Sequence, residues 1–258
     1  SSSGLPEWIQ VSEPEESRPP ISVRESITIG TVDVSGSTGN GIRGGYSYDA
    51  RGENTILYAE QTAVDALSGT NPNNFVINWH SSVDRITRTA REWNGSMGGT
   101  SPSSTLSNSR SREVMQSAQT IIFSTDGQVG QHEVTTFSGL CAQYLGGQSL
   151  NICLLVNPRV DTPSRCNISV FAYLMQGNSL VLHYDGNNFK LLFSNGVITE
   201  RFPCPNISES SWSHLPTLTT EQILAIQIQP QTRAPPGFQS LQFRGSMVNF
   251  NLNQMLGD

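Results

Sequence analysis

Lysine is almost missing from this chain: of its 15 basic residues, only Lys190 is a lysine. The arginines are scattered rather than striped, and the formal charge is −6 at pH 7. The clustered positive surface that neutralises nucleic-acid phosphates is therefore lacking, and nucleic acid is not an expected partner. No apolar run approaches the ~18 residues that a membrane-crossing helix needs, so no membrane span is expected. The four cysteines, Cys141, Cys153, Cys166 and Cys204, include no C-x-x-C pair, which argues against a thiolate zinc site. Cys141 and Cys153 lie in apolar runs and read as core, whereas a Cys166–Cys204 disulfide requires an oxidising compartment. The chain carries no signal peptide or initiator methionine and opens with "SSSGLPEW", which reads as a processed product or excised fragment and leaves the localisation open.

With 258 residues, 36% of them hydrophobic, the chain suffices for one large domain or two small ones, with a sizeable core. Residues 1–25 are rich in Ser, Glu and Pro with little apolar periodicity and read as a tail or linker. From Ser26 the pattern changes. "SITIGTVDV" is a β-rich run apolar on both parities, as a buried strand would be. "NTILYAEQTAVDAL" places Ile56, Ala59, Ala63 and Leu67 at helical spacing, with Gly69 as a stop signal. "NFVINWH", "QTIIFS" and "LNICLLV" read as strands, with "RITRTAREW" a more exposed one. "SREVMQSA", "HEVTTFSGLCAQYL" and "NISVFAYLMQ" read as helices, and "SLVLHY" and "FKLLFS" flank a "DGNN" turn suited to a hairpin. This alternation predicts an α/β fold whose central sheet is open and mostly parallel, with helices on both faces. Residues 201–258 form a C-terminal extension in which "QILAIQIQ" reads as a strand.

The stretch "TVDVSGSTGNG", Thr31 to Gly41, admits three chemistries. Gly39, Gly41 and Gly44 fit G-x-G-x-x-G after a strand, but "GGYSYDARGE" separates them from the next helix, whose N-terminus the dinucleotide motif needs. A nucleophilic Ser35 or Ser37 is not centred in G-x-S-x-G, and His80, His132, His183 and His214 show no spacing that marks a base. The third reading is a cluster of hard oxygen donors. Asp33, Ser35 and Ser37 alternate, so their side chains can converge, and magnesium takes oxygen ligands of this kind. "MGGTSPSSTL" adds Thr100 in a later loop, and "IIFSTDG" adds Asp126 at a strand's carboxyl end. In an open parallel sheet such ends share one edge.

The ordered set "DVSGS", "GGTS" and "STDG", spread over strands that alternate with helices, resembles the von Willebrand factor A domain with its metal-ion-dependent adhesion site. The likeness covers about residues 26–200. The resemblance implies that Ser35 and Ser37 bind Mg2+, or Mn2+ or Ca2+, through their hydroxyls, with Thr100 a third ligand. Asp33 and Asp126 would hold metal-bound waters and orient the hydroxyls. It further implies a non-enzymatic domain that captures a Glu or Asp of a protein partner in adhesion or assembly; the alternative is a scaffold subunit with a degenerate, metal-free site. One departure from the family is the stretch from Thr38 to Glu53, which delays the first helix. Its Arg43, Tyr46, Tyr48 and Arg51 are residue types enriched at binding hot spots and are read as partner-contacting, the alternative being a flexible, solvated glycine loop.

Overall fold

The computed structural model describes residues 19–43, 48–158, 167–197 and 215–230. The core of the fold is an eight-stranded sheet. Its strands are β2 (Thr28–Asp33), β3 (Phe75–Trp79), β4 (Val83–Thr87), β5 (Thr120–Thr125), β6 (Leu150–Val156), β7 (Ser179–Tyr184), β8 (Phe189–Asn195) and β9 (Thr217–Leu218), in the spatial order β4-β3-β2-β5-β6-β7-β8-β9. The ladders joining β3, β2, β5, β6 and β7 are all parallel. β4 and β8 join their neighbours antiparallel, and β9 extends β8 in the same way. The chain is thus α/β with a mostly parallel central sheet. β1 (Ile21–Ser22) and β10 (Gln227–Ile228) pair separately.

Among the described residues six α-helices accompany the strands: α1 (Ile56–Leu67), α2 (Ser104–Ser107), α3 (Ser109–Gln116), α4 (Gln131–Tyr144), α5 (Ala172–Met175) and α6 (Thr220–Leu224). Strand side chains alternate between faces, so each parallel strand feeds two cores. Val32, Ile122, Ile152 and Leu154 pack with Leu57, Ala63, Val64 and Leu67 of α1 and Ile223 of α6. Ile29, Ile121, Phe123, Cys153 and Leu155 pack with Leu106, Met115, Val134, Phe137 and Cys141 of α2, α3 and α4. Cys141 and Cys153 are accordingly buried and unpaired, and burial raises both thiols; Cys166 and Cys204 lie outside the described residues.

Helix α1 starts where Thr55 accepts a hydrogen bond from the Tyr58 N–H, a side-chain cap for an otherwise orphaned donor. The "DGNN" hairpin forms as expected: Asp185 Oδ1 accepts the N–H groups of Asn187 and Asn188, and Gly186 takes a φ of +99°.

Three elements differ from the sequence reading. The tail does not extend to residue 25, because β1 pairs with β10 and Val23 is fully buried; a two-residue strand followed by a 3-10 turn is too short to leave a periodic signal. "RITRTAREW" supplies only the end of β4, after which Ala90–Glu92 turn into a 3-10 helix closed by Thr89 and Glu92. "QILAIQIQ" is not one strand: Thr219 and Gln222 form a capping box that starts α6, and only Gln227–Ile228 are extended.

Gly69 does not act as a left-handed cap. It allows a close chain approach: a Cβ there would lie 1.9 Å from the Arg24 carbonyl oxygen, the same oxygen that accepts the Thr70 N–H at 3.0 Å. Both groups are main chain and cannot move aside cheaply. Gly69→Ala is expected to cost about 1–3 kcal/mol in urea unfolding, whereas Gly139→Ala, with nothing within 4 Å of its Cβ position, will leave stability unchanged or higher.

Candidate functional site

From β2 the chain passes to β3 on one flank and returns later as β5 on the other, so the crevice beyond the carboxyl ends of β2 and β5 is a topological switch point. Asp33 is the last residue of β2, and Asp126 follows the last residue of β5. The intervening loop turns immediately. The Val34 N–H donates to the Trp79 carbonyl at 2.8 Å, and Gly36–Gly39 wind into a 3-10 turn fixed by Thr38 Oγ1 donating to the Ser35 carbonyl at 2.6 Å.

Four of the five expected oxygen donors are linked by hydrogen bonds. Asp33 Oδ1 accepts the Ser35 N–H at 2.9 Å, Ser35 Oγ lies 3.4 Å from Ser37 Oγ, and Ser37 Oγ donates to Asp126 Oδ2 at 2.5 Å. Asp126 Oδ1 accepts the Gln128 N–H at 3.0 Å. Asp33, Ser35 and Asp126 are buried, and Ser37 is half-buried. Ser37 and Asp126 are 89 positions apart in the chain, so this meeting is a product of the sheet order alone. Thr100 is half-buried and set between two anchors, the Gly98 carbonyl, which accepts the Gly36 N–H at 3.0 Å, and the Ser101 N–H, which donates to His80 O at 2.8 Å. The Thr100 loop therefore lies against the Ser35 loop.

Burial raises the Asp33 carboxyl to about 7, with the Asp126 charge adding to the rise and hydrogen bonds from Ser35 and Thr125 opposing it. Burial also raises Asp126, against the pull of the Ser37 hydroxyl and the Gln128 N–H. The described hydrogen-bond donors to Asp33 are neutral: the Ser35 N–H and Thr125 Oγ1, the latter at 2.8 Å. Two buried like-charged groups joined through hydroxyls make up a hard-oxygen set that a divalent cation fits, since it would favour both ionised carboxylates. Among the described residues no three His, Cys, Asp or Glu side chains form a metal-binding group. A site here has to draw on hydroxyls as well as carboxylates.

No family model, curated protein or solved structure matches this chain. Its function has to be argued from the residues themselves. Among the described residues neither alternative chemistry of the loop gains a partner. The hydroxyls of Ser35 and Ser37 engage one another and Asp126, while His80 bonds Asp84 and Ser81 and His183 bonds Asn157. The helix after the glycines starts only at Ile56, beyond the bridges Asn40–Tyr48 and Gly41–Thr55. Of the expected partner-contacting residues, Arg43, Tyr48 and Arg51 are exposed; Tyr46 lies outside the described residues.

Sequence reasoning missed Glu60, Ser124 and Thr125. Thr125 Oγ1 holds Asp33 Oδ2 from one sheet face, while Ser124 Oγ donates to the fully buried Glu60 of α1 at 2.7 Å on the other. Glu60 was detectable as an acid four positions after Ile56, on the apolar stripe of α1. Its carboxyl is raised well above the usual range by burial, with the Asp33 charge next in importance.

Proposed function

We propose that this chain is a von Willebrand factor A-type domain that binds a protein partner through a divalent cation, Mg2+ or else Mn2+ or Ca2+, and is not an enzyme. The observation that carries this reading is the meeting of Asp33, Ser35, Ser37 and Asp126, from two separate loops, at the switch point of a mostly parallel sheet. The strand order β4-β3-β2-β5-β6-β7, with β4 antiparallel, supports a Rossmann-like arrangement of that kind. Ser35 and Ser37 would hold the cation through their hydroxyls, joined by Thr100, and Asp33 and Asp126 would orient them. A bound cation supplies a Lewis-acidic position for a partner's Glu or Asp. Ser37 and Asp126 contribute a preorganised hydrogen bond, and the buried setting strengthens any charge interaction made there.

A metal-free scaffold is the second reading. It is favoured by the hydrogen bonds the carboxylates already accept, Asp33 from the Ser35 N–H and Thr125 Oγ1 and Asp126 from Ser37 Oγ. Thermal unfolding with Mg2+ or Mn2+ against EDTA separates the two. The expected result is a metal-dependent rise in midpoint, equivalent to about 2.7 kcal/mol at a hundred times Kd, that disappears in Asp33→Ala. An unchanged midpoint for the wild-type chain at millimolar metal would overturn the metal reading in favour of the scaffold.

A further inference from the structure

The sequence holds three Asn-Gly pairs, Asn40–Gly41, Asn94–Gly95 and Asn195–Gly196. Asparagine is thermolabile, and it is least protected before glycine, which has no Cβ to shield its main-chain nitrogen from the preceding side chain. The fold treats the three pairs differently. Asn40 Nδ2 donates to the Ser37 carbonyl at 2.9 Å, and the Asn40 carbonyl accepts the Ile56 N–H at 2.8 Å. Asn195 ends β8 opposite Ser179, and its Nδ2 lies 3.0, 3.4 and 3.2 Å from the carbonyls of Met175, Gln176 and Gly177.

Asn94 stands apart. It is exposed, and among the described residues its side chain, its carbonyl and the Gly95 N–H take part in no hydrogen bond. The bonds nearby hold the neighbouring groups instead. Trp93 Nε1 donates to the Gly95 carbonyl at 2.6 Å, the Ser96 N–H to the Ala50 carbonyl at 2.8 Å, and the Met97 N–H to the Val34 carbonyl at 2.8 Å. Gly95 takes a φ of +101°, a backbone state that glycine adopts at little cost.

We infer that Asn94 is a site of spontaneous modification, converted through a succinimide to aspartate and isoaspartate, and that the isoaspartyl form loosens the loop leading to Thr100. This inference is independent of the metal reading. In the first step the Gly95 main-chain nitrogen attacks Asn94 Cγ. The new C–N bond replaces the Cγ–Nδ2 bond, and Nδ2 leaves as ammonia with the proton that the Gly95 nitrogen gives up. Water then opens the ring. Cleavage at Cγ yields aspartate in an ordinary main chain, whereas cleavage at the Asn94 main-chain carbonyl yields isoaspartate, in which the chain runs through the side-chain methylene. Water is the only co-reactant. At Asn40 and Asn195 the side-chain amide has to give up hydrogen bonds before the same attack, which slows it by up to about tenfold per bond. The extra main-chain carbon of isoaspartate enters just before Ser96 and Met97, so their bonds to Ala50 and Val34 lose register.

The test holds the full chain at pH 8 for several days, folded and in guanidinium chloride, and follows each Asn-Gly pair by peptide mass mapping with aspartyl and isoaspartyl peptides resolved. In the folded chain Asn94 is expected to convert about tenfold faster than Asn40 or Asn195, and in denaturant the three rates should converge. Asn94→Gln should remove the fast conversion and leave the other two pairs unchanged. Hydrogen exchange then compares fresh and aged protein. The peptide containing Ser96 and Met97 should exchange faster in the isoaspartyl fraction, and aged Asn94→Gln should match the fresh chain. Equal rates at the three pairs in the folded chain, or conversion of Asn94 in denaturant alone, overturns the inference. Unchanged exchange at Ser96 and Met97 in the isoaspartyl fraction overturns the loosening of the loop.

Discussion

Phe123→Ala is expected to remove about 3–5 kcal/mol of stability, a loss that urea unfolding reads directly. Phe123 sits in the middle of β5 and is fully buried. Its ring lies 5.7 Å from Trp79, 4.9 Å from Phe137 and 6.1 Å from Phe171, the last edge-on. These partners come from β3, α4 and the turn preceding α5, so the ring joins three separately folded segments to the sheet. Truncation removes the transfer free energy of the ring and also leaves a cavity, because partners on rigid elements collapse only in part. The effect should reach the site as well. Thr125, which holds Asp33, is two residues further along the same strand, and the variant should show a weaker metal-dependent thermal rise than the wild type. A loss below about 1 kcal/mol would show that the aromatic cluster is not the organising contact of this face.

The metal-free protein is expected to lose stability as pH rises from 4 towards 8, and Asp33→Asn should remove the share of that loss that Asp33 carries. The Asp33 carboxyl titrates near 3.8 in the unfolded chain and near 7 in the folded one, raised first by burial and then by Asp126. Below the unfolded value both states carry the proton, and the folded state keeps its full stability. Above it the unfolded chain releases the proton while the folded one retains it, so stability falls until the folded group also ionises. At 1.36 kcal/mol per pH unit the window amounts to about 4 kcal/mol. Asp126 and Glu60 are raised in the same direction by burial and act with the same sign.

An Asn at position 33 keeps an oxygen for the Ser35 N–H and carries no charge. In EDTA at pH 8 it should therefore be more stable than the wild type, by up to a few kcal/mol, while failing to respond to Mg2+. Urea unfolding in EDTA from pH 5 to 8 provides the check: parallel curves for wild type and Asp33→Asn would show that the buried pair does not govern the pH dependence.

Much of the fold was legible before any coordinates. Strand β6 occupies the span read from "LNICLLV", and α1 and α4 begin and end within a residue or two of their apolar stripes. Those patterns are strong because each element buries a continuous face, which forces hydrophobic side chains into a period of two or 3.6 residues. The oxygen donors were also visible, since Asp33, Ser35 and Ser37 lie close together in one loop and Asp126 closes a strand.

Other features could not be explained from local pattern. The pairing of β1 with β10 joins residues about 200 positions apart through two-residue strands, too short for any period to register. Glu60 occupied a helix position that pattern alone assigns to the core, and only its hydrogen bond to Ser124 explains why an acid stands there. The bond from Ser37 to Asp126 likewise depends on β2 and β5 being neighbours. Local sequence determined the elements and the donor types, because propensity and periodicity act over a few residues. Which donors meet, and how far burial raises their carboxyls, followed from the strand order, because desolvation and charge coupling act through space rather than along the chain.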